Sequence, residues 1–192
     1  MKSRHYPALY LLAATLLLQG CAPLIVAGAA TTAVVAYDRR TVGAFIDDNN
    51  IELKVRAILT DDKLLGDNVH INATSINGTV LLTGETPTEV LRTRLIDQIR
   101  DIPSVRRIVN EIRVAELSDP NDRSRDAWLT SKVKTKLMTS KGVSAPRIKV
   151  VTENSSVYLM GLVTRQEAEK STEVARKVGG VERVVKLFEY ID

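Results

Sequence analysis

The apolar positions of the chain repeat themselves at a nearly constant distance. Ile51 to Leu59 and Leu129 to Leu137 lie 78 residues apart, and each carries apolar residues four apart, the spacing of an amphipathic helix. Val69 to Gly84 and Pro146 to Gly161 follow at an offset of 77, with Val80-Leu81-Leu82-Thr83-Gly84 answering Val157-Tyr158-Leu159-Met160-Gly161. These segments predict two β-hairpins. Asn77-Gly78 is a strong two-residue turn because both positions tolerate positive φ, and Asn154-Ser155 takes its place in the second copy. A further helix is expected after Thr86-Pro87-Thr88-Glu89 and after Thr164-Arg165-Gln166-Glu167. Both have the capping-box spacing, with Pro87 at the first helical position, where its missing N–H costs nothing. The pattern breaks at Ile102-Pro103-Ser104 and Val178-Gly179-Gly180. Val105 to Val114 and Val181 to Tyr190, offset by 76 and rich in Val and Ile, then predict a third strand. Two copies of one α-β-β-α-β unit result, at 46–114 and 124–192. The polar connector 115–123 is marked by Asp119-Pro120-Asn121-Asp122.

Ahead of the repeats stands a different kind of segment. Lys2 and Arg4 precede an uncharged apolar run from Pro7 to Leu18, too short to span a bilayer comfortably, and Leu-Gln-Gly-Cys closes it at Cys21. This order is that of a secretory signal over 1–20, and the cysteine makes it resemble a bacterial lipoprotein leader. Cys21 would then carry an S-diacylglycerol and an N-acyl chain, the multiple lipid chains that stable anchoring requires. Ala22 rather than aspartate after it resembles the default sorting to the outer membrane, on the periplasmic face. Residues 21–45 are read as the lipidated N-terminus and a tether, free, on the membrane or against the folded body.

Gly84 and Gly161 after the hairpins, Ser-Val-Arg-Arg-Ile-Val-Asn-Glu-Ile at 104–112, and Gly179-Gly180-Val181 resemble the BON domain. Ser104 and Lys186 stand where that family usually has glycine and asparagine. The resemblance implies an α+β fold of two tandem small α/β sandwiches, each with a three-stranded mixed sheet covered by two helices, in agreement with the element order.

Composition narrows the chemistry. Among 192 residues there are one cysteine and two histidines; His5 lies in the leader, which leaves His70 alone. Zinc sites of the usual kind want three or four Cys, His or carboxylate ligands, and a nucleophilic dyad wants a histidine base. No phosphate-cradling glycine motif is present either. A binding protein is expected rather than an enzyme, with no metal, no catalytic residue and no small-molecule substrate. His70 reads as a surface strand residue without clustered ligands. Asp47-Asp48 and Asp61-Asp62 read as solvated or capping acids, and Arg106-Arg107 as a strand edge that deters aggregation.

Charge separates the copies. Residues 43–115 hold nine Lys/Arg and eleven Asp/Glu, a net of −2, whereas 128–192 hold twelve and seven, a net of +5. In the first helix of the second copy Lys132, Lys134, Lys136 and Lys141 meet no acid between Trp128 and Val143. Leu129, Val133 and Leu137 take the core face. Trp128, Ser131, Thr135 and Met138 then point away from it, flanked by Lys132 and Lys134. The only tryptophan is thus expected on the wet side, and an anionic bilayer interface or packing against another domain would each account for it. The first copy has Asn50, Leu53, Ala57 and Thr60 there.

The resemblance decides between the two: lipid-anchored proteins with paired BON domains imply binding of anionic phospholipid, phosphatidylglycerol or cardiolipin, through this helix, and enrichment at division sites. The site expected is Trp128, Ser131, Lys132, Lys134, Thr135, Met138 and Lys141. The alternative is a scaffold docking envelope proteins such as the β-barrel assembly machinery. Nucleic acid is excluded as a partner by the leader.

Overall fold

The computed structural model describes residues 39–192. Cys21 and the leader lie outside the described residues. Each repeat forms the expected unit. In the first, helix α1 (Val42–Asp61) leads through a 3₁₀ turn into strands β1 (His70–Ile76) and β2 (Thr79–Thr86), then helix α2 (Glu89–Arg100) and strand β3 (Arg107–Val114). In the second, α3 (Pro120–Thr139) and another 3₁₀ turn precede β4 (Lys149–Glu153), β5 (Ser156–Val163), α4 (Arg165–Arg176) and β6 (Arg183–Tyr190). The sheets run β1-β2-β3 and β4-β5-β6, each with an antiparallel hairpin and a parallel third strand delivered by the crossover helix. No helix among the described residues is long and apolar enough to cross a membrane.

Each central strand is buried on both faces. Val80 and Leu82 pack with Ile51, Val55, Leu95 and Ile99 of their own helices, as Val157 and Leu159 do with Leu129, Val133 and Leu137. The alternate residues Leu81 and Ile76 meet Tyr158 and Met160 in a third core, joined by Val109, Val151, Val185 and Leu187. The helix-free faces of the two sheets are therefore packed on one another. Polar bridges rim this interface: Tyr158 donates to Glu111 (3.1 Å), Arg183 donates to both, Asn77 donates to Glu189 (2.8 Å), and Lys149 reaches Glu52 (3.1 Å). Arg39, ahead of α1, pairs at 2.7 Å with Glu167 at the start of α4.

One device recurs in both copies. An aspartate of the first helix accepts from the two central amides of the hairpin turn: Asp48 from Asn77 N (2.8 Å) and Gly78 N (2.9 Å), Asp126 from Asn154 N (2.7 Å) and Ser155 N (3.0 Å). The carboxylate holds both turn residues at positive φ, which is how Asn154 (47°) and Ser155 (58°) take the conformation without glycine. Asp48 is accordingly capping rather than solvated, only 2% exposed, and also accepts from Ser75 and Arg40. Gly84 and Gly161 are required sterically, since a Cβ would overlap the carbonyl oxygens of His70 and Arg147.

Three boundaries differ from the sequence reading. Helix α3 starts at Pro120, not near Trp128, because Asp119 caps it through Asn121 N and Pro120 sits at its first position; the last four residues of the polar connector, 120–123, are its first turn. Helix α1 likewise begins at Val42, capped by Thr41, four residues before the expected unit. In the first copy Thr86 is the last residue of β2, paired with Val114, and Thr88 is the N-cap of α2, so the capping box expected there is absent. The extra Pro87 accounts for the drop in repeat offset from 77 to 76. In the second copy Thr164 and Glu167 form the box in both directions.

Candidate functional site

Helix α3 presents the expected face. Leu129, Val133 and Leu137 are buried, while Trp128 is 63% and Met138 70% exposed, with Ser131 and Thr135 between them. The hydroxyls of Ser131 and Thr135 donate to the carbonyls of Ala127 (3.1 Å) and Ser131 (2.9 Å). Their polarity is thus spent on the helix backbone, which leaves an outer stripe less polar than its sequence.

Lys132 does not extend freely as a flanking charge. Its ammonium lies 3.7 Å from the centroid of the Trp128 ring and donates to the carbonyl of Gly179, just past α4. Cation–π attraction and that hydrogen bond fix the indole on the helix surface, so the ring is exposed but oriented. Between α3 and the residues after α4 runs an open groove of about 490 Å³. Trp128, Ser131, Lys132, Thr135 and Lys136 form one side and Lys177, Val178 and Gly179 the other. Lys134 and Met138 lie outside it on the exposed helix surface, and Lys141 lies beyond the helix end, exposed. Lys177 entered the site unannounced because only tertiary packing brings the end of α4 to α3; it also pairs with Glu173 at 2.6 Å. The arrangement places an exposed aromatic ring and an exposed methionine on one helix face, with lysines around them. The equivalent face of α1 carries an exposed Leu53 but no aromatic residue, and Asp61 and Asp62 follow it.

A second polar cluster lies at the domain interface and corrects the reading of His70. In the β1–β2 register His70 faces Glu85, and the packing of the sheets brings Glu153 of β4 to 4.0 Å from the imidazole. The side chains of His70, Glu85 and Glu153 each place a ligand-type atom within 4.8 Å of the others. Such neighbours could not be read from a chain whose acids lie 15 and 83 residues away from the histidine. Burial, then the charge of Arg123, holds the imidazole below its ordinary value. Burial pushes the Glu153 carboxyl up. Burial also pushes Glu85 up, but hydrogen bonds from Asn154, Arg113 and Ser118 outweigh it and hold Glu85 below the usual carboxylate range.

Fold and comparison with known proteins agree. The BON domain family model matches residues 47–116 and again 125–192. The chain belongs to the BON-domain family, with two copies in tandem. Among its relatives, outer membrane lipoprotein DolP of Haemophilus influenzae is 37% identical over 182 residues, 95% of this chain and 94% of the relative. The 21 kDa hemolysin of Actinobacillus pleuropneumoniae is 36% identical over 154 residues, 80% of this chain and 79% of that protein. Osmotically-inducible protein Y of Escherichia coli is 26% identical over 149 residues, 74% and 72% of the two chains. None of these names is that of an enzyme, and the first agrees with the outer-membrane location expected from the leader.

Proposed function

We propose that the protein is anchored in the outer membrane through lipid on Cys21 and binds anionic phospholipid with the α3 face of its second domain, in support of envelope integrity. The observation that carries this reading is Trp128, the only tryptophan, exposed and held by Lys132 at the mouth of a lysine-lined groove. An indole of this kind suits the headgroup zone, and Lys134, Lys136, Lys141 and Lys177 lie where phosphates would be. Each lysine near an anionic surface contributes about 1 kcal/mol at physiological salt. With the partial burial of Trp128 and Met138, the sum is a weak, reversible contact. The anchor makes such a contact sufficient by raising its effective concentration. Lipid composition would then direct where the protein sits in the envelope, the division site included.

Trp128 reports on its own environment. Its fluorescence is expected to shift to the blue with vesicles containing phosphatidylglycerol or cardiolipin and to stay unchanged with phosphatidylcholine alone. A shift with both, or with neither, would oppose the reading; in the second case a protein partner for this face becomes the better account.

A further inference from the structure

We propose that His70, Glu85 and Glu153 form a three-ligand site for a divalent transition cation, Zn²⁺ matching the donor set best, that joins the two BON domains. The inference stands independently of the phospholipid reading. His70 and Glu85 come from facing positions of β1 and β2 in the first domain, and Glu153 from β4 of the second. One imidazole nitrogen and two carboxylates are ligands of the borderline and hard type that Zn²⁺ accepts, with a fourth position left for water.

The surroundings are those of a built site rather than a surface accumulation of acids. Glu85 is 0% and Glu153 7% exposed, and the hydrogen bonds each receives fix its orientation: Asn154 (2.7 Å) and Arg113 (3.1 Å) on Glu85, Asn72 (3.2 Å) on Glu153. Glu85 Oε2 and Glu153 Oε1 face fewer donors than their partner oxygens. Beside them lies Thr83, fully buried on the same face of β2 as Glu85, and its hydroxyl is the only buried side-chain polar atom among the described residues that closes no hydrogen bond. In the β1–β2 register Thr83 faces Asn72, whose amide donates to Glu153. A buried hydroxyl without a partner is costly, and a water held by a metal beside Glu153 would donate to it.

Geometry permits closure. Zn–N and Zn–O bonds of about 2.1 Å place tetrahedral ligand atoms about 3.4 Å apart, so atoms now within 4.8 Å need to approach by no more than ~1.4 Å, a matter of side-chain rotation. Calcium and magnesium fit poorly, because a nitrogen ligand and flanking arginines replace the oxygen cage they require.

The test is equilibrium dialysis of the untagged full chain, stripped with chelator and held in detergent, against ZnCl₂, alongside His70→Gln and Glu153→Gln. The wild type is expected to bind one equivalent, with a loss of at least tenfold in affinity in each variant, and Zn²⁺ is expected to raise its melting temperature but not that of His70→Gln. The visible spectrum of the Co²⁺ form provides a check that does not rest on the variants' folding: nitrogen and oxygen ligation is expected. Absence of saturable binding, or binding undiminished in a folded His70→Gln, would each overturn the proposal.

Discussion

Replacing Asp48 by alanine should expose how much of the first domain depends on one buried carboxylate. Four groups donate to it: the amides of Asn77 and Gly78, the Ser75 hydroxyl at 2.6 Å and the Arg40 guanidinium at 2.7 Å. Hydrogen bonds to a charged group contribute about 1.5–3 kcal/mol each, and a buried donor left without a partner costs about 1–3 kcal/mol. These terms share one site and do not add, so the expected loss is that of breaking a buried pair, about 4 kcal/mol. Asp126 provides the internal comparison, because it holds the equivalent turn through two amides only and is half-buried. Asp126→Ala should cost about 2 kcal/mol. Urea unfolding followed by circular dichroism at pH 7 measures both, from midpoint shifts at unchanged slope. A loss below about 1 kcal/mol for Asp48→Ala, or a larger loss for Asp126→Ala, would refute the reasoning.

Two further outcomes follow from the packing and the ion pairs. Met160→Ala removes a fully buried side chain from the core between the sheets and should cost about 3 kcal/mol, with protease cutting appearing at 115–119 between the domains before either domain is degraded. Glu167→Gln keeps the capping box of α4 but ends the ion pair with Arg39. Burial raises the Glu167 carboxyl, yet Arg39, Ser144 and the Thr164 amide together hold it at about 2, below its ordinary 4.5. A depressed acid stabilises the fold above its unfolded value, and that contribution disappears as the pH falls from 4.5 toward 2. The variant should therefore unfold about 1 kcal/mol more easily at pH 7 and match the wild type near pH 2; an unchanging difference would contradict the assignment.

The repeated unit was legible because apolar spacing and turn residues are local signals. Leu129, Val133 and Leu137 announced the core side of α3, and the same arithmetic put Trp128 and Met138 outside. Helix starts were harder. Residues 121–126 carry no apolar stripe, since this part of α3 serves the hairpin turn through Asp126 rather than a core, and only Asp119-Pro120 hinted at a cap. The box reads with Thr86 as the cap, but strand pairing with Val114 takes that residue and Thr88 caps the helix instead. The runs Val80-Leu81-Leu82 and Val157 to Met160 are apolar on both faces, which signals burial on both sides, but nothing local says that each sheet covers the other. For the same reason Lys177 in the groove and Glu153 beside His70 were invisible: both arrive through contacts between elements far apart in sequence.

The central claim, that the α3 face recognises anionic membrane, is tested most directly by vesicle co-sedimentation of residues 39–192, which carry both domains and their cores without Cys21. The fragment should pellet with phosphatidylglycerol or cardiolipin vesicles, remain soluble with phosphatidylcholine, and release as ionic strength rises, with binding abolished in a folded Trp128→Glu. Equal binding to both vesicle types, or anionic binding untouched by Trp128→Glu, would contradict it.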